Sequence, residues 1–98
     1  MSAAIDTAVT TLNQRLQGGG LDGTLKIVIE EEGVVLVDAS GARPGDPHAP
    51  ADCTLTAGAD TFRDMLERTL DPTAAYMGGR LSIQGDMGLA LALAGLLG

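Results

Sequence analysis

The spacing of apolar residues changes several times along the chain, and each change predicts a different element. Residues 5–16 place apolar side chains at helical intervals, and a run of glycines ends that helix. Residues 25–30 alternate as in a strand with one strongly apolar face, and residues 34–38 continue as a second, β-branched strand after a glycine turn, which predicts a hairpin. The prolines of SGARPGDPHAP predict a loop over residues 40–50, and strand alternation resumes over residues 52–57.

The second half of the chain repeats the start and stop signals of helices. Asp60 is the predicted N-cap of a short helix with an apolar inner stripe. Residues 71–78 begin with Asp-Pro and end at a glycine, which predicts another helix. A brief strand follows at residues 80–84, and Asp86 caps a final helix. This order predicts a single α/β domain of the α+β kind over residues 1–98, with a largely antiparallel sheet covered by helices.

The last segment, GDMGLALALAGLLG, has no polar side chain after Asp86. Ala and Leu favour a helix, which spans roughly 18 Å at about 1.5 Å per residue and falls short of the ~30 Å core of a bilayer. One side of this helix carries Leu89, Leu93, Leu96 and Leu97, and the other carries Met87 and Leu91. A surface helix normally needs only one apolar stripe. The second stripe has three interpretations, namely burial inside the fold, contact with a partner subunit, or a border of a space that holds an apolar ligand.

Composition and charge limit the classes of ligand and partner that this chain can bind. The chain has 98 residues, of which 45% are hydrophobic and 2% aromatic, so one modest core of aliphatic side chains is expected. Six basic and 13 acidic residues give a formal net charge of −7, which argues against nucleic acid as a partner and allows at most transient contact with a membrane. The lone Cys53 forms no internal disulfide, and the first residues lack a signal-peptide pattern. A cytoplasmic location is therefore expected.

Few residues could carry catalytic chemistry. His48 lies in the proline-rich loop and Cys53 on a predicted strand, so neither has a neighbour that would make a nucleophile–base pair. One Cys and one His are too few for a zinc site. The acidic run at residues 30–32 is typical of a solvated turn, with weak Ca²⁺ binding as the alternative. The sequence therefore predicts no catalytic residue, no metal and no cofactor.

Three short motifs follow one another in the C-terminal half of the chain. They are ADCTLT at residues 51–56, DTF at residues 60–62 and DPTAAYMGGRLSIQGDMGLALAL at residues 71–93. In this order they resemble the sterol carrier protein type-2 domain, and the ordered combination is more specific than any one piece. The N-terminal half resembles that family only in its type of element, a helix followed by hairpin strands.

The resemblance implies an α/β fold of about five strands, with helices on one side and a hydrophobic tunnel. The family's tunnel accepts sterols, fatty acids, phospholipids or fatty acyl-CoA, so a lipid ligand without catalysis is expected. The expected lining comes from the helix after Asp60, the helix and strand of residues 71–84, and the last helix. These side chains are Phe62, Leu66, Tyr76, Met77, Leu81, Ile83, Met87, Leu89, Leu91, Leu93 and Leu97.

Departures from the family pattern affect the expected partner and ligand. Ala92 and Ala94 stand where the family often has Lys or Gln, and Arg68 and Thr69 stand where a glycine is common. The alanines make the outer face of the last helix unusually apolar. An alternative function therefore stays open, in which this helix docks a second copy or presents a lipophilic substrate to an enzyme. Basic groups for a CoA phosphate are sparse, so we expect an uncharged lipid more than an acyl-CoA.

Overall fold

The computed structural model describes residues 2–97, and this part of the chain contains four helices and five strands. In chain order they are α1 (Ala3–Leu16), β1 (Leu25–Glu30), β2 (Gly33–Asp38), β3 (Gly41–Pro44), β4 (Cys53–Gly58), α2 (Ala59–Leu66), α3 (Pro72–Met77), β5 (Ser82–Gly85) and α4 (Met87–Leu97). All four predicted helices are confirmed. The strand β3 is new, because the sequence analysis placed its residues in a loop.

The five strands form one sheet in the order β3-β2-β1-β4-β5. Neighbouring strands are antiparallel except for β1 and β4, which run parallel with Leu25 opposite Cys53 and Glu30 opposite Gly58. The prediction of a five-stranded, largely antiparallel α+β sheet is therefore confirmed, with one parallel pair at its centre.

The hydrophobic core lies on one face of this sheet. Alternate residues of β1 and β4, such as Leu25 and Leu55, are at most 2% exposed, and the buried side chains of all four helices pack against them. On the opposite face, Lys26 Nζ donates hydrogen bonds to Pro47 O at 2.9 Å and Ala49 O at 3.0 Å. The helices thus cover one side of the sheet as expected, and the proline-rich segment lies against the other.

The strand β3 corrects the prediction of a continuous loop over residues 40–50. Residues 41–44 pair with β2, and the outer edge of β3 is satisfied by Asn13 on α1. Asn13 Nδ2 donates to Ala42 O at 2.9 Å, and Ala42 N donates to Asn13 Oδ1 at 2.8 Å. An edge strand tolerates Pro44, whose nitrogen has no hydrogen to donate. The composition of the segment could not predict these hydrogen bonds, because their partner Asn13 lies on a helix 29 residues earlier in the chain.

The start of α2 also differs from the prediction. Gly58, not Asp60, is its N-cap, because β4 runs directly into the helix. Asp60 lies in the first turn, where its carboxylate complements the helix dipole and lies 3.4 Å from Arg63 Nη2. Asp71 is the N-cap of α3 as predicted, although its side chain makes no capping hydrogen bond.

The turn from β5 into α4 depends on Gly85. Its φ of +106° favours glycine, and a Cβ atom there would lie 2.3 Å from the backbone oxygen of Asp52. The close approach lets Asp86 N donate to Asp52 O at 2.9 Å. This contact fixes where α4 leaves the sheet.

Candidate functional site

An apolar cavity of about 210 Å³ lies between α3, β5 and α4. Its floor is the sheet, at Leu55 and Ile83. Among residues 2–97, the polar side-chain atoms in the lining are the hydroxyls of Thr73 and Tyr76, and no charged side chain lines the cavity. The lining consists of Leu55, Pro72, Thr73, Tyr76, Leu81, Ile83, Met87, Ala90, Leu91, Ala94 and Leu97. Such a surface suits an apolar ligand.

The helix α4 presents its two apolar stripes to different surroundings. Asp86 caps it, since its Oδ1 accepts hydrogen bonds from Gly88 N at 2.8 Å and Leu89 N at 3.3 Å. Leu89, Leu93 and Leu97 are 8%, 0% and 2% exposed and belong to the core. Met87 and Leu91 are 49% and 68% exposed and border the cavity. The second stripe is therefore neither core nor plain solvent surface.

Six of the eleven predicted lining residues meet at this cavity. They are Tyr76, Leu81, Ile83, Met87, Leu91 and Leu97. Leu89 and Leu93 pack into the core instead, because α4 turns that side toward the sheet. Met77 follows Tyr76 on α3 but points away, and 80% of it is exposed.

The other two predicted residues, Phe62 and Leu66, line a separate hollow of about 310 Å³ between α1 and α2. Its lining also includes the charged side chains of Asp60, Arg63 and Glu67. That hollow is larger, but its charged groups would have to lose water when an apolar ligand entered. The cavity beside α4 is the better candidate site.

Some lining residues were missed by the sequence analysis. Ala90 and Ala94 fall at helical intervals between Met87 and Leu97, so the spacing of the second stripe contained the signal. Their small side chains leave the space that the larger neighbours surround. Leu55, Pro72 and Thr73 gave no such signal, since only the packing of α3 and α4 over β4 brings them together.

Arg15 fixes the far end of α4. Its Nη1 donates to Leu96 O at 3.1 Å and to Leu97 O at 3.4 Å, and its Nη2 donates to Leu66 O. The guanidinium therefore satisfies carbonyls at the C-terminal ends of both α4 and α2. Burial, together with the positive charge of Arg68, lowers the pKa of Arg15. The three helices α1, α2 and α4 meet at this one side chain.

Cys53 and His48 are placed as structural and surface residues. Cys53 is 1% exposed on β4, and burial, with the negative charge of Asp86, raises the pKa of its thiol. A raised pKa disfavours the reactive thiolate at neutral pH. His48 is exposed in the loop, where its backbone nitrogen donates to Asp46 Oδ1 at 2.8 Å.

The model of the SCP-2 sterol transfer family matches residues 6–98. The chain belongs to that family. The match extends the resemblance seen in the C-terminal half over almost the whole chain, including α1 and the hairpin. Within residues 2–97 no helix is long and apolar enough to span a membrane.

Solved structures of other SCP-2 domains share this fold. Sterol carrier protein 2 from Aedes aegypti, solved in complex with the C16 fatty acid palmitate, aligns with a TM-score of 0.78 at 18% identity over 99% of this chain and 96% of that one. The sterol carrier protein domain 2 of Helicoverpa armigera aligns with a TM-score of 0.76 at 20% identity, over 96% of this chain and 85% of that one.

Curated relatives of the SCP-2 domain match only part of its length. Hydroxysteroid dehydrogenase-like protein 2 of Xenopus laevis is 41% identical over 61 residues, which are 62% of this chain and 15% of that protein. The Danio rerio protein of the same name is 43% identical over 56 residues, which are 57% of this chain and 14% of that protein. The similar segment is thus a small portion of those proteins.

Proposed function

We propose that this domain is a non-catalytic lipid carrier that holds one hydrocarbon chain, such as that of a fatty acid, in the cavity beside α4. The lining of that cavity carries the proposal, because the side chains that the structure describes around it are mostly aliphatic and none of them is charged. Membership of the SCP-2 sterol transfer family and the palmitate complex of the Aedes aegypti relative support the same class of ligand.

The volume of the cavity favours a single chain over a bulky ring system. Sites for drug-sized ligands measure roughly 300–1,000 Å³, and this cavity measures about 210 Å³. A methylene chain can enter such a space end-on, with the rest of the ligand between Tyr76 and Leu91 at the mouth. A sterol would require α4 to move away from the sheet.

We estimate the affinity from the apolar surface of the ligand's hydrocarbon chain that binding removes from water. Each buried CH₂ contributes roughly 0.8 kcal/mol, so about a dozen carbons contribute about 10 kcal/mol before the costs of association. Those costs are several kcal/mol, which leaves a dissociation constant on the order of micromolar. Within the described part of the chain, Thr73 and Tyr76 supply the side-chain hydroxyls of the lining, so the head group adds little selectivity. The phosphates of an acyl-CoA would meet no cation among these lining residues.

A pair of alanines on α4 tests the proposal. Ala94 lines the cavity, whereas Ala92 is exposed and does not. Ala94→Leu fills part of the empty space without displacing packed atoms, so we expect about tenfold weaker binding of a fluorescent fatty acid and an unchanged melting temperature. Ala92→Leu adds the same isopropyl group to the same helix and should leave the affinity unchanged. Equal affinities for both variants would contradict the proposed site.

A second candidate function is the presentation of a lipophilic substrate to an enzyme. The dehydrogenase-like relatives support it, because the similar segment forms a small part of proteins that are named for an enzyme. Native mass spectrometry of the purified protein separates these two lipid-binding functions from a third, an assembly module that docks a second copy through α4. A lipid mass on a monomer supports either lipid-binding function, and a stable dimer without lipid supports the assembly module.

A further inference from the structure

The strand β5 forms one edge of the sheet, and the backbone of its residue Ile83 faces outward there. Cys53 N donates to Thr24 O, next to β1, at 3.3 Å. The next residue of β4, Thr54, therefore faces β5, where it is paired with Gln84. Strand alternation then turns the N–H and C=O of Ile83 away from β4. Among residues 2–97, neither group has a hydrogen-bond partner at this edge.

The two edges of the sheet are protected differently against pairing with another strand. At the β3 edge, Asn13 occupies the backbone groups of Ala42, and Pro44 has no N–H to donate. The strand β5 contains no proline and no charged residue, which are the residue types that usually protect an exposed edge. Its side chains on the face opposite the cavity, Ser82 and Gln84, are exposed. The β5 edge is therefore open to a further strand.

We infer that β5 pairs with β5 of a second copy, antiparallel and about a two-fold axis at Ile83, so that the two sheets become continuous. With Ile83 opposite its own copy, the two residues exchange both of their backbone hydrogen bonds. A register centred on Gln84 lacks these bonds, because the backbone groups of Gln84 face β4. The contact uses the backbone edge of β5 and its outer side chains, whereas the cavity lies on the other face of the strand.

The charges that flank β5 are self-complementary in this register. Arg80 and Asp86 are the charged residues within residues 72–97, and they lie three positions before and after Ile83. The two-fold axis therefore places each Arg80 opposite the partner's Asp86. Arg80 makes only a long contact in the monomer, 3.7 Å to Asp64 Oδ2. Both capping hydrogen bonds of Asp86 go to Oδ1, which leaves Oδ2 for the guanidinium. This match favours a second copy over an unrelated strand.

Double substitutions at Ser82 and Gln84 test both the edge and the register. These two residues face each other across the proposed axis, and neither lines the cavity. For the full chain in sedimentation equilibrium, we expect a dissociation constant of about 0.1 mM, because the paired strands are short. Ser82→Lys/Gln84→Lys sets lysine against lysine in both pairs and should weaken the dimer about tenfold. Ser82→Lys/Gln84→Glu sets lysine against glutamate and should dimerise at least as strongly as the unmodified protein.

Thr10→Lys/Gln14→Lys is the matched control, since it adds the same two charges at exposed positions of α1 and should leave dimerisation unchanged. The inference is overturned if the unmodified protein stays monomeric at about 1 mM. It is also overturned if Ser82→Lys/Gln84→Lys dimerises normally, which is the result expected for a dimer through α4. Equal weakening by the two variants of Ser82 and Gln84 would exclude this register.

Hydrogen exchange of the unmodified protein tests the same edge without any substitution. The Ile83 amide is protected only in the dimer, so its exchange should slow severalfold between about 10 µM and about 1 mM protein. The Ala42 amide already donates to Asn13 within one copy, so its exchange should not depend on concentration. Exchange at Ile83 that is equally independent of concentration would overturn the pairing, whatever the variants do.

Discussion

Cys53 shows how a single buried side chain links packing to protonation. It lies on the inner face of β4 next to the point where β5 turns into α4, and Asp86 is close enough to influence it. Burial and this carboxylate raise the pKa of the thiol, so the folded state favours the protonated form. The unfolded chain ionises at the ordinary value, about 8.5. Above that pH the unfolded state binds fewer protons than the folded state.

This difference predicts a loss of stability in mild alkali. Between the ordinary pKa and the raised one, the free energy of unfolding falls as the pH rises. In urea titrations at neutral pH and near pH 10, we expect the unmodified protein to lose more stability than Cys53→Ala. The variant controls for the other groups that titrate in this range. Identical losses in both proteins would mean that the thiol is not shielded in the folded state.

At the scale of elements, α4 is held at its two ends and along one side. Asp86 caps the start, Arg15 binds the carbonyls at the end, and Leu93 is the centre of the buried stripe. The side that faces the cavity has no such restraint, since Ala90 and Ala94 leave empty space there. Besides the core packing of this stripe, movement of the C-terminal end of α4 is opposed by Arg15, which connects it to α1 and α2.

Removing this connection should loosen α4 before the rest of the fold. Hydrogen bonds from a charged donor contribute roughly 1.5–3 kcal/mol each, and unpaired carbonyls are costly when buried. The three bonds of Arg15 are only partly buried, so water replaces part of their energy, and Arg15→Met should lower the free energy of unfolding by about 2 kcal/mol in total. Hydrogen exchange should speed up at the amides of α4 more than at those of β1.

Arg63→Met is the matched control, because the Arg63 side chain is 62% exposed and forms ion pairs with Asp60 and Asp64. Exposed pairs of this kind contribute at most about 1 kcal/mol, so this variant should melt close to the unmodified protein. Exchange that speeds up equally in α4 and β1 after Arg15→Met would show that Arg15 supports the whole core and not this helix.

The elements were more predictable than the site. Periodicity and capping residues located the helices because both signals are local, and Asp86 caps α4 as its position indicated. The strand β3 was not predicted, because the backbone groups at its outer edge form hydrogen bonds with Asn13, which is distant in sequence. The two stripes of α4 were visible in the sequence, but periodicity cannot say which one faces the sheet. The core contacts of Leu93 and the exposure of Leu91 decide that only in three dimensions.

At the scale of the whole molecule, the two edges of the sheet differ in how firmly they are bound. The β3 edge is paired with the side chain of Asn13. The β5 edge is a strand of the same length, 4 residues, but the cavity lies between it and the helices α3 and α4. Local openings concentrate where packing is sparse, so the β5 edge is where we expect the fold to admit a ligand.

The composition of the lining also gives the molecule an optical reporter of its own. The chain has one tyrosine and no tryptophan, and that tyrosine is Tyr76, half-exposed at the mouth of the cavity. Emission excited in the near ultraviolet therefore comes from a single position. Adding palmitate should change the intensity of this emission until the site is saturated. Ala94→Leu should move the midpoint of this titration to a higher palmitate concentration. Emission that does not change at saturating palmitate would mean that the ligand binds elsewhere. A titration of the unlabelled protein thus reads occupancy of one site directly, without an attached dye that could itself compete for the cavity.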